Sequence, residues 1–128
     1  MLLHLSDVSS EPLHGQISRQ IRAMILSGDL VEGEPLPSIR TMAKDQHVSV
    51  ITVQRAYDDL QREELIRSKR GVGFFVASLT DERKQAMALE RLREHLAPIL
   101  LDGLAGGLSP QGVMEAVQEI LRRREGKR

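Results

Sequence analysis

The side chains that usually do bond-making chemistry are dispersed along this chain. Four histidines, His4, His14, His47 and His95, lie far apart and without metal-ligand spacing. No serine or carboxylate falls in a recognisable catalytic pattern. Gly71-Val-Gly73 lacks both the third glycine and the strand-to-helix setting of a dinucleotide loop. An enzyme is therefore not expected, nor is a metal or other cofactor. The polar groups that do gather suit recognition instead. Residues 48–57, VSVITVQRAY, place hydroxyls, an amide and a guanidinium among apolar side chains, and residues 69–73, KRGVG, put two cations beside two glycines.

What those groups can do depends on the elements that carry them. The stretch 48–57 is ambiguous, because its first half is rich in β-branched residues that suit a strand. Helical spacing wins: Ser49 is a good capping residue, and Val53, Ala56, Tyr57 and Leu60 recur at three- and four-residue steps, whereas strict alternation fails at Gln54, Arg55 and Ala56. The spacing predicts a helix from Ser49 to about Glu63 with those four residues inward. At roughly 100° per residue, Ile51 and Arg55 then point almost directly outward. An outward isoleucine in a first helical turn suits a base edge, where thymine offers a methyl group. The plainer readings are a scattered surface residue or one covered by a partner chain.

The flanking pattern supports base contact. A first helix is expected over Glu11–Ser27, with Leu13, Ile17, Ile21, Met24 and Ile25 inward, Arg19 and Arg22 on its exposed face, and Gly28 as a left-handed stop. GDLVEGEPLPS reads as a turn. Ser38 can cap a short helix to about Asp45 that buries Ile39, Met42 and Ala43 and leaves Arg40 and Lys44 outward. Two short strands, Leu65–Ser68 and Phe74–Ala77, joined by the basic tip Lys69–Gly73, read as a hairpin. Paired helices followed by a hairpin make a winged helix-turn-helix, in which the second paired helix enters the major groove and the tip reaches backbone or minor groove.

At this point the residues carry a family resemblance. QISRQIRAMILSGDL, LPSIRTMA, VSVITVQRAYDDL and RGVGFFV, in this order and spacing, resemble the DNA-binding domain of the GntR family of bacterial transcription regulators, over about Pro12 to Val76. The short remainder resembles the YtrA subfamily in particular. The resemblance implies a homodimer on a palindromic operator, usually a repressor, with double-stranded DNA as partner. By motif position it also implies that Arg40, Ser49, Thr52 and Gln54 contact operator DNA, with Arg70 and Gly71 at the tip of the wing. Val50 and Ile51 stand where many members carry an arginine and a polar residue, which favours thymine contacts over guanine reading. With the outward Arg55, these nine residues are the expected DNA-binding set. Glu64 stands where a glycine commonly ends the recognition helix, so a changed end or a strained residue is expected there.

Thr80 can cap a helix in which Leu89, Leu92, Leu96 and Ile99 recur at steps of three, four and three, the narrow seam of a coiled coil. Pro98 is expected to kink it near Ala97, and DGLAGGLSPQG reads as a flexible turn with Ser109 as cap and Pro110 as the first residue of a final helix. That helix presents Val113, Met114, Val117, Ile120 and Leu121 on one side. The expected fold is mainly α with a small β-hairpin: a winged helix-turn-helix over residues 1–78 and a short α-helical hairpin over 79–128. The seam residues together with Val117, Ile120 and Leu121 form the expected dimerisation surface, and the alternative is a helical hairpin docked on its own domain. Two short amphipathic helices make no deep ligand cavity, so no small-molecule effector is assigned. The basic end, RRREGKR, reads as a solvated helix terminus.

Charge and composition fit this reading. Eighteen Lys and Arg balance eighteen Asp and Glu, which excludes a general polyanion coat while leaving a local basic face open. No apolar run approaches the ~20 residues that span a bilayer, no signal peptide is recognisable, and cysteine is absent. A cytoplasmic protein with no membrane partner is expected. The competing function is a winged helix that uses Val50 and Ile51 to meet an apolar protein groove.

Overall fold

A computed structural model describes residues 1–126. Two compact units follow one another along the chain, residues 1–85 and from residue 86 onward. The first unit contains three helices, α1 (Leu13–Ser27), α2 (Ile39–Gln46) and α3 (Val50–Arg62), and three strands, β1 (Pro35–Leu36), β2 (Ile66–Lys69) and β3 (Gly73–Val76). The strands form an antiparallel sheet in the order β1-β3-β2. Ile66 pairs with Val76 and Lys69 with Gly73, while Pro35 pairs with Phe75 and Leu36 with Phe74. The hairpin lies within one residue of its expected bounds. The added strand β1 falls inside the segment read as a turn, and it is held at its lower end by Gly33 N–H to the Val76 carbonyl and Val76 N–H to the Glu34 carbonyl.

Helix α3 is the hub, because both α1 and α2 pack on it. Its inward residues are those the spacing predicts: Val53, Ala56, Tyr57 and Leu60 are all fully buried. From α1 come Ile17, Ile21 and Ile25, also fully buried, and Met42 comes from α2, where Ile39 is only half-buried. Each paired helix starts with the same device: Ser38 and Ser49 accept the backbone N–H of Thr41 and Thr52, and each serine also shares a hydroxyl bond with that threonine. This satisfies an orphan donor of the first turn and is worth about 1 kcal/mol per cap.

The helix ends show where local rules bend. α1 closes at Gly28, φ 91°, as expected. α2 and α3 close with left-handed residues that carry side chains, His47 at φ 56° and Glu64 at φ 62°. In both, the next N–H reaches five residues back, Val48 to Ala43 and Leu65 to Leu60, and the left-handed N–H reaches Lys44 or Gln61. This is the two-bond Schellman closure, whose left-handed position suits glycine best; a side chain there costs about 1 kcal/mol. The strain expected at Glu64 is therefore present, and the end of the helix is unchanged by it.

Arg22 departs from the expected pattern. Placed by periodicity on the exposed face of α1, it is instead buried, with Nε and Nη2 donating to the two carboxylate oxygens of Glu63 at 2.8 and 2.7 Å. Ahead of α1, residues 1–6 run as a strap fastened by glutamine side chains. Gln20 accepts from the His4 N–H and donates to the His4 carbonyl, Gln16 does the same with Ser6, and Gln46 donates to the Met1 carbonyl. Leu3 is buried and Leu5 half-buried between these fastenings.

In the second unit, α4 (Asp81–Ala105), which begins in the first, is followed by α5 (Pro110–Gly126). Thr80 caps α4 by accepting the Arg83 N–H, and Ser109 caps α5 by accepting the Gly112 N–H. Pro98 lies inside α4, which continues to Ala105, so the turn is shorter than its glycines suggest and is closed by Gly107 at φ 102°. Neither helix has a buried residue. The basic end lies partly on α5, with Lys127 and Arg128 outside the described residues.

Candidate nucleic-acid interface

The outward face of α3 begins at its cap. Ser49 and Thr52 are tied to one another, their oxygens 2.8 Å apart, so one hydroxyl proton of the pair remains to donate elsewhere. Val50 and Ile51 are 49% and 68% exposed, an unusual pair of open β-branched side chains at the start of a helix. Gln54 and Arg55 complete the outward face, with the Gln54 amide nitrogen donating to Asp58 at 2.8 Å. Arg40 is exposed in the first turn of α2.

At the wing, Lys69, Arg70, Gly71 and Val72 are all exposed. Val72 N–H closes on the Lys69 carbonyl at 2.9 Å, and Gly71 sits third in that turn with φ 76°. This is the position that a type II turn reserves for glycine, and it brings bare backbone to the tip beside two cations.

The cations around the α3 face differ from those held in ion pairs. Arg19, Arg22, Arg62 and Arg123 pair with carboxylates. Arg40, Arg55, Lys69 and Arg70 enter no ion pair among the described residues. These four lie on the elements around the open face of α3, although others without an ion pair, such as Arg83, Lys84 and Arg93, lie on α4. Such groups can meet phosphate without first breaking an internal bond.

The core under this face also fixes it. Tyr57 donates its hydroxyl to the Pro37 carbonyl at 2.7 Å, and its ring meets Phe74 edge-on with centroids 4.9 Å apart. Burial pushes the Tyr57 phenol well above its ordinary pKa, so it stays a neutral donor. One side chain of α3 thereby holds the residue ahead of the α2 cap and the root of the wing. Tyr57→Phe removes the donor and leaves a carbonyl without its partner, so a loss of about 1–2 kcal/mol is expected in urea unfolding; an unchanged midpoint would show that water replaces the hydroxyl. Sequence periodicity identified Tyr57 as core, but its bond to Pro37 carries no local signal.

Of the expected dimerisation residues, Leu89, Leu92, Ile99, Ile120 and Leu121 are exposed, at 42 to 67%, and Leu96 and Val117 are half-buried. Leu101, Leu104 and Met114 are open as well. The described residues include no cluster that could hold a metal ion, and no helix among them is long and apolar enough to cross a membrane.

Residues 13–76 match the family described as bacterial regulatory proteins, gntR family. The HTH-type transcriptional repressor YtrA of Bacillus subtilis is 27% identical over 93% of this chain and 92% of its own length. A structure described as a transcriptional antiterminator from Listeria monocytogenes EGD-e superposes with a TM-score of 0.77 and 30% identity over 94% of this chain and 90% of that one. The DNA-binding domain of AraR, solved in complex with operator ORX1, gives a TM-score of 0.52 and 27% identity over 59% of this chain and 93% of that one.

Proposed function

The chain belongs to the gntR family of bacterial regulatory proteins and is a DNA-binding transcription regulator, and we propose that it works as a homodimer that grips an inverted-repeat operator and represses transcription there. The observation that carries this reading is the open face of α3, where Ile51, Gln54 and Arg55 stand outward on a rigid hub beside unpaired cations on α2 and the wing. Val50, Ile51 and Gln54 read base edges, while Arg40, Arg55, Arg70, the Gly71 backbone and the Ser49–Thr52 hydroxyls set register on phosphate. Two copies joined through the apolar faces of α4 and α5 set their α3 helices about one helical turn of DNA apart, or a small multiple of it. The repressor name of the Bacillus subtilis relative and the operator bound to AraR support this assignment. Repression follows from occupancy of a promoter, needs no catalytic step, and takes place in the cytoplasm with the DNA.

The test is selection of bound fragments from the source genome by the purified chain at near-physiological salt. Enrichment of one inverted repeat is expected. Absence of any enriched sequence, with the chain folded and dimeric, would instead assign the apolar start of α3 to a protein groove.

Two substitutions separate positioning from reading. Arg40→Ala is expected to weaken binding on all sequences alike and to reduce the slope of log affinity against log salt by about 0.9, the share of one phosphate contact. Ile51→Ser is expected to cost about 1–3 kcal/mol at one base pair if the side chain meets a thymine methyl. A uniform loss across sequences would remove Ile51 from base reading.

A further inference from the structure

One bond on the outward stripe of α3 does more than join two surface residues. Gln54 Nε2 donates to Asp58 Oδ1 one helical turn further on. Counting roughly 100° per residue, Asp58 falls within about 20° of Ile51, between Gln54 and Arg55 on the helix surface. The neighbouring carboxylate, Asp59, is half-buried and paired with Arg62, so it does not share this position. A carboxylate in the middle of a face that meets polyanionic DNA needs a reason, because its charge opposes association.

The reason lies in the chemistry of the pair. An ionised carboxylate only accepts and an amide nitrogen only donates, so Asp58 dictates which end of the Gln54 amide turns toward it. With Nε2 so engaged, Oε1 takes no hydrogen bond among the described residues. A glutamine without such a partner rotates about its last torsion and offers either end. We infer that Asp58 is a positioning residue for sequence readout: it holds Gln54 so that Oε1 accepts from an exocyclic amino group on a base edge, adenine N6 or cytosine N4. Guanine presents only acceptors in the major groove and thymine an acceptor and a methyl, so both leave Oε1 without a donor and are disfavoured at that base, even though the second Nε2–H can still donate. The inference rests on the DNA-reading role of α3 proposed above and specifies what one of its side chains reads.

The full chain and its variants are each used to select from a randomised duplex library, and affinities are then measured on duplexes that differ at single base pairs. Gln54→Ala identifies the base pair whose preference depends on Gln54. There the unaltered chain is expected to prefer the selected pair by about fivefold or more over the same pair with its exocyclic amino group deleted, purine for adenine or pyrimidin-2-one for cytosine. Asp58→Asn, which offers both a donor and an acceptor and so lets the amide turn, is expected to lose that preference at this base pair alone. Asp58→Glu, which keeps an acceptor-only carboxylate, is expected to retain it. Two results overturn the inference: Asp58→Asn raising affinity equally on every sequence with base preferences intact, or the unaltered chain binding the amino-deleted pair as tightly as the selected one. If the unaltered, folded chain enriches no sequence at all, the reading of α3 as a DNA-reading helix fails first and this inference falls with it.

Discussion

Glu63→Ala is expected to destabilise the first unit by about 2–4 kcal/mol, the largest effect of any single polar substitution in it. Arg22 is 6% exposed and its bond to Glu63 is bidentate, with charge-assisted lengths of 2.7 and 2.8 Å. The remaining nitrogen, Nη1, is buried with no hydrogen-bond partner among the described residues. Removing the carboxylate leaves a guanidinium in the core without its counter-charge. Breaking a fully buried pair costs about 3–5 kcal/mol, and the expected value here is lower because the Glu63 side chain is 33% exposed. Arg22→Met should cost less, since the carboxylate left behind can rehydrate. The double variant Arg22→Met with Glu63→Leu should recover most of the loss, because a desolvated pair gives little net stability over apolar residues of similar volume. Urea unfolding of the four chains measures all three differences. A cost below about 1 kcal/mol for Glu63→Ala would mean that the pair behaves as a surface bridge.

Leu92→Glu is expected to split the proposed dimer and lower apparent operator affinity by about 10²–10⁴-fold, the contribution of a second, tethered half-site. Leu92 is 56% exposed in the single chain, so a carboxylate there leaves the fold of one copy undisturbed. Placed in a shared seam with Leu89, Leu96 and Ile99, the same carboxylate would be buried without a partner in both copies. Sedimentation should show a monomer with unchanged helix content, and binding to a single half-site should persist at the weaker affinity. A variant that still sediments as a dimer would move the interface away from this seam.

What could be read from the sequence follows from the range of the interactions involved. The caps at Ser38, Ser49, Thr80 and Ser109 and the inward face of α3 were legible, since a serine or threonine three residues ahead of its donor and a 3.6-residue period are local signals. Strand β1 was not, because two residues dense in proline and glycine context become a strand only through Phe74 and Phe75, far along the chain. Arg22 was misplaced for the same reason: periodicity sends a cation outward unless a partner is known, and Glu63 lies 41 residues away. The left-handed residue at His47 had no glycine to announce it, whereas Glu64 was flagged by the family pattern. The Asp58 contact is local, an i,i+4 pair, yet sequence alone does not distinguish it from any two polar neighbours on a solvated face.

The fastening of residues 1–6 has a consequence for which positions in that segment can vary. Gln16 and Gln20 address only main-chain atoms of Ser6 and His4, so these bonds are indifferent to the side chains at positions 4 and 6, which are exposed. The buried Leu3 and half-buried Leu5 are held by shape and by their apolar surface. From position 3 on, the segment is thus written in an alternating script: positions 3 and 5 spell out the fit, positions 4 and 6 are blank, and the identity that matters for the blank ones is stored in two glutamines on a different element.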